Sequence, residues 1–165
     1  IQAPIKILNC NAGFKGRKGT LYEGGIRVPF IVNQPGMVPI QTLDNLIYFP
    51  DMMPTLAALA KGTKHLPKQI NGINILPLFY GKQVDTDNRL LYWEFPGKQR
   101  AARKGDWKCV TIHPNQPLEL YNLKEDPEET NNLAKKYPRR VKEFDEEMQR
   151  MHIPTPNWPQ PGEQF

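Results

Sequence analysis

The chain is organised around the stretch Gly13-Phe-Lys-Gly-Arg-Lys-Gly-Thr-Leu-Tyr-Glu-Gly-Gly-Ile-Arg-Val-Pro-Phe30. Five glycines fall in its first thirteen residues, and glycine reaches positive φ cheaply and lets the backbone approach a ligand closely. Arg17 and Lys18 lie among these glycines and can bind anions through a planar guanidinium and a compact ammonium. The residues that follow, Val28–Asn33, have the composition of a buried strand, with Pro29 near its start. The stretch therefore predicts a close-approach loop that holds a cation against an oxyanion.

This stretch resembles a segment of the type I sulfatases. From Gly16 to Pro29 it is similar, without a gap, to a family pattern that reads roughly G-x-K-G-(T/S)-x-(Y/W)-E-G-G-x-R-V-P. In that family the lysine of the Lys-Gly-Thr segment contacts the sulfate ester, so the resemblance implies that Lys18 is a catalytic and substrate-binding residue. Arg17 is a second substrate-binding candidate, although adjacent side chains of an extended backbone face opposite sides. The alternative is a surface loop that binds nothing.

Other parts of the chain resemble the same family. Asp51–Leu56 and Asn71–Gly81 are similar to two short family segments, and Arg100–Lys108 and Glu119–Leu133 to two longer ones. The resemblance covers nearly all of residues 13–150, and it implies the carboxyl-terminal portion of a sulfatase that hydrolyses a sulfate ester of a carbohydrate or an aryl group.

The resemblance implies an α/β fold, with an α+β arrangement in this part of the protein. Residues 1–84 would be the end of an alkaline-phosphatase-like catalytic domain. Residues 89–152 would form a small subdomain with about four antiparallel strands and one packed helix, and residues 153–165 a proline-rich extended tail. A hydrophilic linker near residues 84–88 would separate the first two parts.

The spacing of short runs predicts the strands of the small subdomain, and hydrophobic periodicity predicts its helix. Strands are expected over Leu90–Phe95, Gln99–Arg103, Asp106–Ile112 and Leu118–Leu123, a spacing typical of an antiparallel sheet. A helix is expected over Pro138–Met151, because apolar residues recur there at steps of three and four. Its apolar face would consist of Val141, Phe144, Met148 and Met151.

One further helix is predicted upstream of the subdomain. Asp51 can cap a helix from about Met52 to Lys61, which Gly62 would close. Its apolar face would consist of Leu56, Leu59 and Ala60.

The resemblance implies that calcium is required in the complete enzyme, with ligands that are not in this chain. The formylglycine nucleophile is also expected upstream, because Cys10 is followed by Asn-Ala-Gly rather than by x-Pro-x-Arg. The expected partner is therefore the amino-terminal half of the same protein, and the chain alone is expected to be inactive. The family further suggests a periplasmic, secreted or lysosomal-like compartment.

Further site candidates lie in the loop Phe95–Arg100. In sulfatases this region often borders the pocket mouth, so Lys98 and Arg100 are candidates for binding an anionic sugar, with solvated loop cations as the alternative. Glu23 and Arg27 are expected to form a buried ion pair that holds the glycine-rich loop, because buried charges need partners. The three histidines have no metal-ligand spacing and are expected at the surface: His65, His113 and His152.

Composition limits the partners. The net charge of +5 suits a sulfated, anionic substrate, but the cations are not gathered in one block, so no nucleic-acid partner is expected. No apolar run approaches the roughly 20 residues of a membrane span, so no membrane partner is expected. Cys10 and Cys109 are not in a Cys-x-x-Cys pair. They are either free thiols or one long-range disulfide.

Two other functions remain open at this point. One is a phosphonate or phosphate ester hydrolase of the same superfamily, which an unmodified nucleophile upstream would favour. The other is a non-catalytic carbohydrate-binding module, which would bind glycans without any upstream half.

Overall fold

The computed structural model describes residues 11–95, 99–157, 159 and 164. The chain divides into two units. The first holds the described residues of Ile1–Val28 together with Leu90–Phe165, and the second is Pro29–Arg89. The first unit is therefore discontinuous in sequence. The expected division of a complete sulfatase at residues 1–84, 89–152 and 153–165 stays a prediction.

The helices and strands are short, apart from the last helix. The α-helices are α1 (Glu23–Ile26), α2 (Met52–Leu59), α3 (Leu76–Phe79) and α4 (Pro138–Met151), and two 3-10 turns span Phe49–Asp51 and Thr63–His65. The strands are β1 (Leu90–Phe95), β2 (Gln99–Lys104), β3 (Trp107–Thr111) and β4 (Glu119–Asn122). No helix in the described part of the chain is long and apolar enough to cross a membrane.

A four-stranded antiparallel sheet forms the centre of the first unit, in the order β1-β2-β3-β4. Each predicted strand is confirmed to within one residue at either end. Gly105, at the turn between β2 and β3, has a φ of 55°, a conformation that glycine adopts at low cost. The register places Cys109 between Ala102 and Leu120 on the neighbouring strands.

Alternate side chains of this sheet enter two separate cores, because successive residues of a strand point to opposite faces. The first core contains Leu21, Tyr22, Ala101, Val110, Tyr121 and Leu123. The second core contains Ala102, Cys109, Leu120, Phe144 and Met148. The sheet is therefore covered on one face by the glycine-rich segment and on the other by α4.

The prediction of α4 is confirmed. Pro138 lies in its first turn, where its missing N–H costs no intrahelical bond. Phe144 and Met148 are buried against the sheet, and Val141 packs beside them. Cys109 is a free, buried thiol in the same core, and its burial raises the thiol pKa to about 12. Cys10 lies outside the described residues.

The predicted strand over Val28–Asn33 is wrong. This segment is irregular and exposed, with 73% of Val28 and 87% of Ile31 accessible to solvent. A strand requires a neighbour that accepts and donates backbone hydrogen bonds, and no other strand of the described chain pairs with this segment. Pro29 also lacks the donor that a ladder needs.

The role predicted for Asp51 is wrong, although a helix does begin next to it. The Asp51 side chain makes no capping bond to α2. Instead its buried carboxylate accepts hydrogen bonds from the backbone N–H groups of Tyr48 at 3.0 Å and Ile73 at 2.9 Å. Arg89 approaches the same two oxygens at 2.5 and 2.6 Å. Asp51 therefore joins three segments of the second unit.

Helix α2 differs from the prediction in the residue at which it ends and in the side chains that it buries. It ends at Leu59, and the residue with a left-handed φ of 56° is Lys61 rather than Gly62. The predicted apolar face is exposed, with 57% of Leu56 accessible, and the helix buries Pro54 and Thr55 instead.

Candidate functional site

Lys18 occupies the corner of a tight turn. The Thr20 N–H donates to the Arg17 carbonyl at 3.0 Å, and Gly19 has a φ of 90°, as a type II turn requires at its third position. The Thr20 hydroxyl strengthens the turn by donating to the Arg17 carbonyl at 2.9 Å. Lys18 is exposed, and no hydrogen bond or ion pair joins its ammonium to another described residue. The turn thus presents an available cation.

Two glycines let the backbone behind this turn pack closely. A Cβ added to Gly25 would overlap the carbonyl oxygen of Thr20 and lie 2.7 Å from that of Arg17. A Cβ added to Gly24 would lie 2.6 Å from the carbonyl oxygen of Lys15, to which the Gly24 N–H donates at 2.7 Å. Helix α1 therefore supports the Lys18 turn through backbone contacts that only glycine allows.

Helix α1 is anchored to the sheet by a buried charge cluster. The ammonium of Lys108, on β3, lies 2.9 Å from Glu23 Oε1 and 2.9 Å from Glu129 Oε1. Lys108 and Glu129 are fully buried, and Glu23 is 3% exposed. Arg103 adds a second cation, 3.8 Å from Glu23 Oε2. Glu129 Oε2 also accepts the Glu23 backbone N–H at 2.7 Å.

These contacts correct the ion pair predicted for Glu23. Its partners are Lys108 and Arg103, whereas Arg27 is exposed and lies with its guanidinium 4.6 Å from the Phe14 ring centroid. Burial raises the pKa of Glu129 above its usual range, although Lys108 opposes the shift. The sequence does carry a signal for Lys108, because it occupies the same strand face as the buried Val110.

A second cluster anchors the start of the loop. Lys15 lies 2.8 Å from the Tyr121 hydroxyl and 3.4 Å from Glu119 Oε2, with its ammonium 4.2 Å from the Tyr22 ring centroid. Both tyrosine hydroxyls donate to the same Glu119 oxygen at 2.7 Å. Burial disfavours the Glu119 carboxylate, but these hydrogen bonds and the Lys15 charge outweigh it and hold its pKa below the usual value. The Lys15 ammonium is thus engaged by Tyr121 and Glu119, whereas that of Lys18 has no such partner among the described residues.

Gln99 connects the Lys18 turn to the sheet. It is 8% exposed, and its Nε2 donates to the Gly19 carbonyl at 2.9 Å. Its Oε1 is buried and has no hydrogen-bond partner within the part of the chain that the structure describes.

The other candidate cations are placed differently. Arg17 is exposed beside Lys18, and its side chain is joined to no other described residue by a hydrogen bond or an ion pair. Arg100 is not brought to the Lys18 turn. It follows Gln99 on β2, so it points to the opposite face of the sheet, where it pairs with Asp145 of α4 at 3.5 Å. Lys98 lies outside the described residues.

The histidines do not form a catalytic or metal-binding group. His65 and His113 are exposed, as predicted. The surface position predicted for His152 is wrong, because its side chain is 10% exposed and its Nδ1 lies 2.5 Å from Glu94 Oε1. Among the described residues, no three His, Cys, Asp or Glu side chains are grouped so that they could hold a metal ion. The described residues therefore do not fit a calcium site.

A concave region lies beside β3 and β4. It is lined by Trp107, Tyr137 and parts of the segment 122–136. The two Asp126 oxygens accept the backbone N–H groups of Thr130 at 3.0 Å and Asn131 at 2.8 Å. The carboxylate is therefore engaged in holding its own loop.

Comparison with protein families matches residues 14–153 to the family described as "N-sulphoglucosamine sulphohydrolase, C-terminal". Among curated proteins, a sulfatase of Formosa agariphila is 32% identical over 154 residues, covering 78% of this chain and 28% of the relative. Arylsulfatase K of Gallus gallus is 30% identical over 143 residues, covering 78% of this chain and 26% of the relative.

Among solved structures, the fold is similar to that of Ps i-CgsB in complex with k-i-k-neocarrahexaose. The TM-score is 0.74 and the identity 25%, covering 90% of this chain and 34% of the other. The chain thus spans about a quarter to a third of the length of these relatives.

Proposed function

Because the chain belongs to the family of N-sulphoglucosamine sulphohydrolase carboxyl-terminal regions, we propose that it is the carboxyl-terminal part of a longer sulfatase. In that enzyme Lys18 contacts the sulfate ester. The observation that carries the proposal is the exposed Lys18 ammonium, which has no partner among the described residues and is held on a turn with a backbone support. Lys15 and Lys108, in the same unit, are engaged by carboxylates.

Sulfate ester hydrolysis requires attack on sulfur, stabilisation of the charged equatorial oxygens and protonation of the leaving oxygen. Lys18 contributes to the second requirement. Its charge acts most strongly where negative charge develops in the transition state, so it lowers the barrier more than it tightens ground-state binding. Because the turn is already formed, the backbone of Lys18 is in place before the substrate arrives. Arg17, exposed beside it, is a second substrate contact.

In this proposal the nucleophile, the leaving-group acid and the calcium ion of the family lie outside these residues. The described residues do not fit a metal site, so no step proposed for them passes through the ion. The resemblance implies a formylglycine nucleophile and calcium in the remainder of the enzyme.

The main partner of this chain is the amino-terminal part of the same protein. The relatives extend well beyond the region they share with this chain, which supports a longer parent. The exposed apolar residues that begin at Val28 also support it, because large apolar side chains gathered at a surface are typical of interaction sites. Among these residues, Val28 is 73%, Phe30 47% and Ile31 87% exposed.

The substrate class we propose is a sulfated glycan or an aryl sulfate. A relative of similar fold is described in complex with k-i-k-neocarrahexaose, and the net charge of +5 favours the approach of an anion.

The test is a Lys18→Ala substitution in the complete enzyme. We expect kcat/KM to fall by about 10²–10³, the loss typical of one preorganised oxyanion stabiliser, while the melting temperature barely changes. Lys18→Arg should restore only part of the activity, because a planar fork does not occupy the place of a point charge.

The matched control is Lys142→Ala, which removes a lysine whose side chain is 79% exposed on α4 and should leave kcat/KM unchanged. Near-normal kcat/KM in Lys18→Ala would remove Lys18 from the site. A large fall in its melting temperature would make it a structural residue.

A further inference from the structure

We propose that Lys108 is a positioning residue for catalysis, which acts by fixing helix α1 and, through it, the turn that carries Lys18. This inference rests on the proposed function of Lys18. It assigns a role to a cation that does not itself face solvent or substrate.

The burial of Lys108 is the first argument. Its side chain is fully buried, and its ammonium lies 2.9 Å from one oxygen of Glu23 and of Glu129. Transferring three charged groups out of water is costly, and replacing a whole buried ion cluster by apolar residues of similar volume is often neutral or stabilising. A buried ion cluster is therefore a weak explanation of stability. The hydrogen bond of Lys108 to Glu23 and its close contact with Glu129 instead define where each partner lies.

The path from Lys108 to Lys18 is short and passes through backbone. Lys108 holds the Glu23 side chain, and Glu129 accepts the Glu23 N–H at 2.7 Å. Gly24 and Gly25 follow directly, and they contact the carbonyl oxygens of the loop so closely that no Cβ fits. A shift of Glu23 therefore moves the Arg17 carbonyl, which accepts the Thr20 N–H and so closes the Lys18 turn, together with the Thr20 carbonyl that packs on Gly25.

Glu129 gives independent support, because its backbone is strained to hold this cluster. Its φ is 55°, in the left-handed region that non-glycine residues enter at a cost. Glu129 is fully buried, and its two oxygens contact Lys108 and the Glu23 N–H. The loop 125–129, which follows the edge strand β4, thus delivers a carboxylate to α1.

The surroundings of Lys108 disfavour a direct electrostatic role in the reaction. Two carboxylates lie against its ammonium, so its charge is compensated within the cluster. Lys108 thus affects the rate by fixing the position of Lys18. Displacing a catalytic group by about 1 Å can cost on the order of 10²-fold in rate.

The experiment is a double-mutant cycle between Lys108→Met and Lys18→Ala in the complete enzyme. Methionine keeps the approximate volume and removes the charge. We expect Lys108→Met to lower kcat about 10- to 100-fold with a smaller change in KM, the range expected for a misplaced catalytic group. In the Lys18→Ala background the same substitution should have little further effect, because residues that act as a unit are non-additive.

A merely structural role predicts a different pattern. Loss of folded enzyme would lower the rate by the same factor in both backgrounds, which would overturn the inference. Lys108→Arg, which keeps the charge, should recover part of the kcat lost in Lys108→Met. Lys142→Met, on the exposed face of α4, is the control and should leave kcat unchanged.

The experiment also distinguishes failure of the proposed function from failure of the inference about Lys108. If Lys108→Met does not fold, Glu129→Gln replaces it in the cycle, because it keeps the side-chain shape and removes one charge. If Lys18→Ala alone is fully active, the proposed function fails. If Lys18→Ala is impaired and the cycle is additive, only the positioning role of Lys108 is overturned.

Discussion

At the scale of single residues, the lysines of the first unit differ in what their ammonium groups contact. Lys15 is held by a carboxylate and two tyrosines, and Lys108 by two carboxylates. Lys18, three residues from Lys15, lies on a turn and has no such partner within the described chain. The clusters therefore fix the loop at its base and leave the cation at its corner available to an anion.

Glu119 provides a pH-dependent test of the loop anchor. Its pKa in the folded protein lies below the usual value of 4.5, so its ionised form stabilises the fold above that pH. This contribution is lost as the pH falls through the lower folded-state pKa. We expect Glu119→Gln to lower the melting temperature by a few degrees at pH 7, and the difference from wild type to shrink below about pH 4.5.

The measurement is a series of melting curves of the complete protein between pH 3.5 and 8. Glu143→Gln, at an exposed position of α4, should give no difference at any pH. A Glu119→Gln difference that stayed constant down to the lowest pH would show that the charge of Glu119 does not contribute.

At the scale of secondary-structure elements, the sheet is the platform for the site. Its first face receives the glycine-rich segment, and its second face receives α4. The small residues Ala101 and Ala102 of β2 allow both layers to approach. The helix thus stabilises the Lys18 loop indirectly, by covering the face that the loop leaves open.

Met148 tests this arrangement, because it is fully buried between α4 and the sheet. Met148→Ala should lower the free energy of unfolding of the first unit by about 2–5 kcal/mol, since it removes apolar contacts and leaves a cavity. Gln149→Ala, at the next and exposed position of the helix, is the control. Faster hydrogen exchange of the β2 and β3 amides in Met148→Ala alone is the expected readout, and equal protection in both variants would contradict it.

The strands and α4 could be predicted because their patterns are local. Short runs separated by turn residues such as Lys104-Gly105 mark β1 to β4, and apolar steps of three and four mark α4. The segment Val28–Asn33 could not be predicted correctly, because an apolar run is equally compatible with a strand and with a surface that another part of the protein covers.

The candidate site was predictable only in part. The residues around Lys18 carry a specific family pattern, so the cation itself could be found. The residues that hold the Lys18 turn in place could not be predicted, because the contact between Lys108 and Glu23 joins residues 85 positions apart. Strand alternation does place Lys108 on a buried face, which indicates that it needs an acidic partner without showing which one.

At the scale of the whole molecule, the chain corresponds to a minority of the length of its relatives. We expect residues 1–165 alone to show no turnover of a chromogenic aryl sulfate, because Lys18 stabilises charge but does not attack sulfur. The complete enzyme at equal concentration is the positive control. Turnover by the isolated chain that disappears on Lys18→Ala would contradict this.

The discontinuity of the first unit has a consequence for biosynthesis. On the ribosome, the Lys18 turn emerges long before β3 and the Glu129 loop, and Pro29–Arg89 is made in between. The turn therefore acquires its anchors only when translation has passed Glu129. An mRNA truncated before the Glu129 codon would still encode Lys18 and the glycines around it, but the turn would lack the contacts that Glu129 makes. Products truncated before Glu129 would then be inactive, so activity would show that translation had passed that codon.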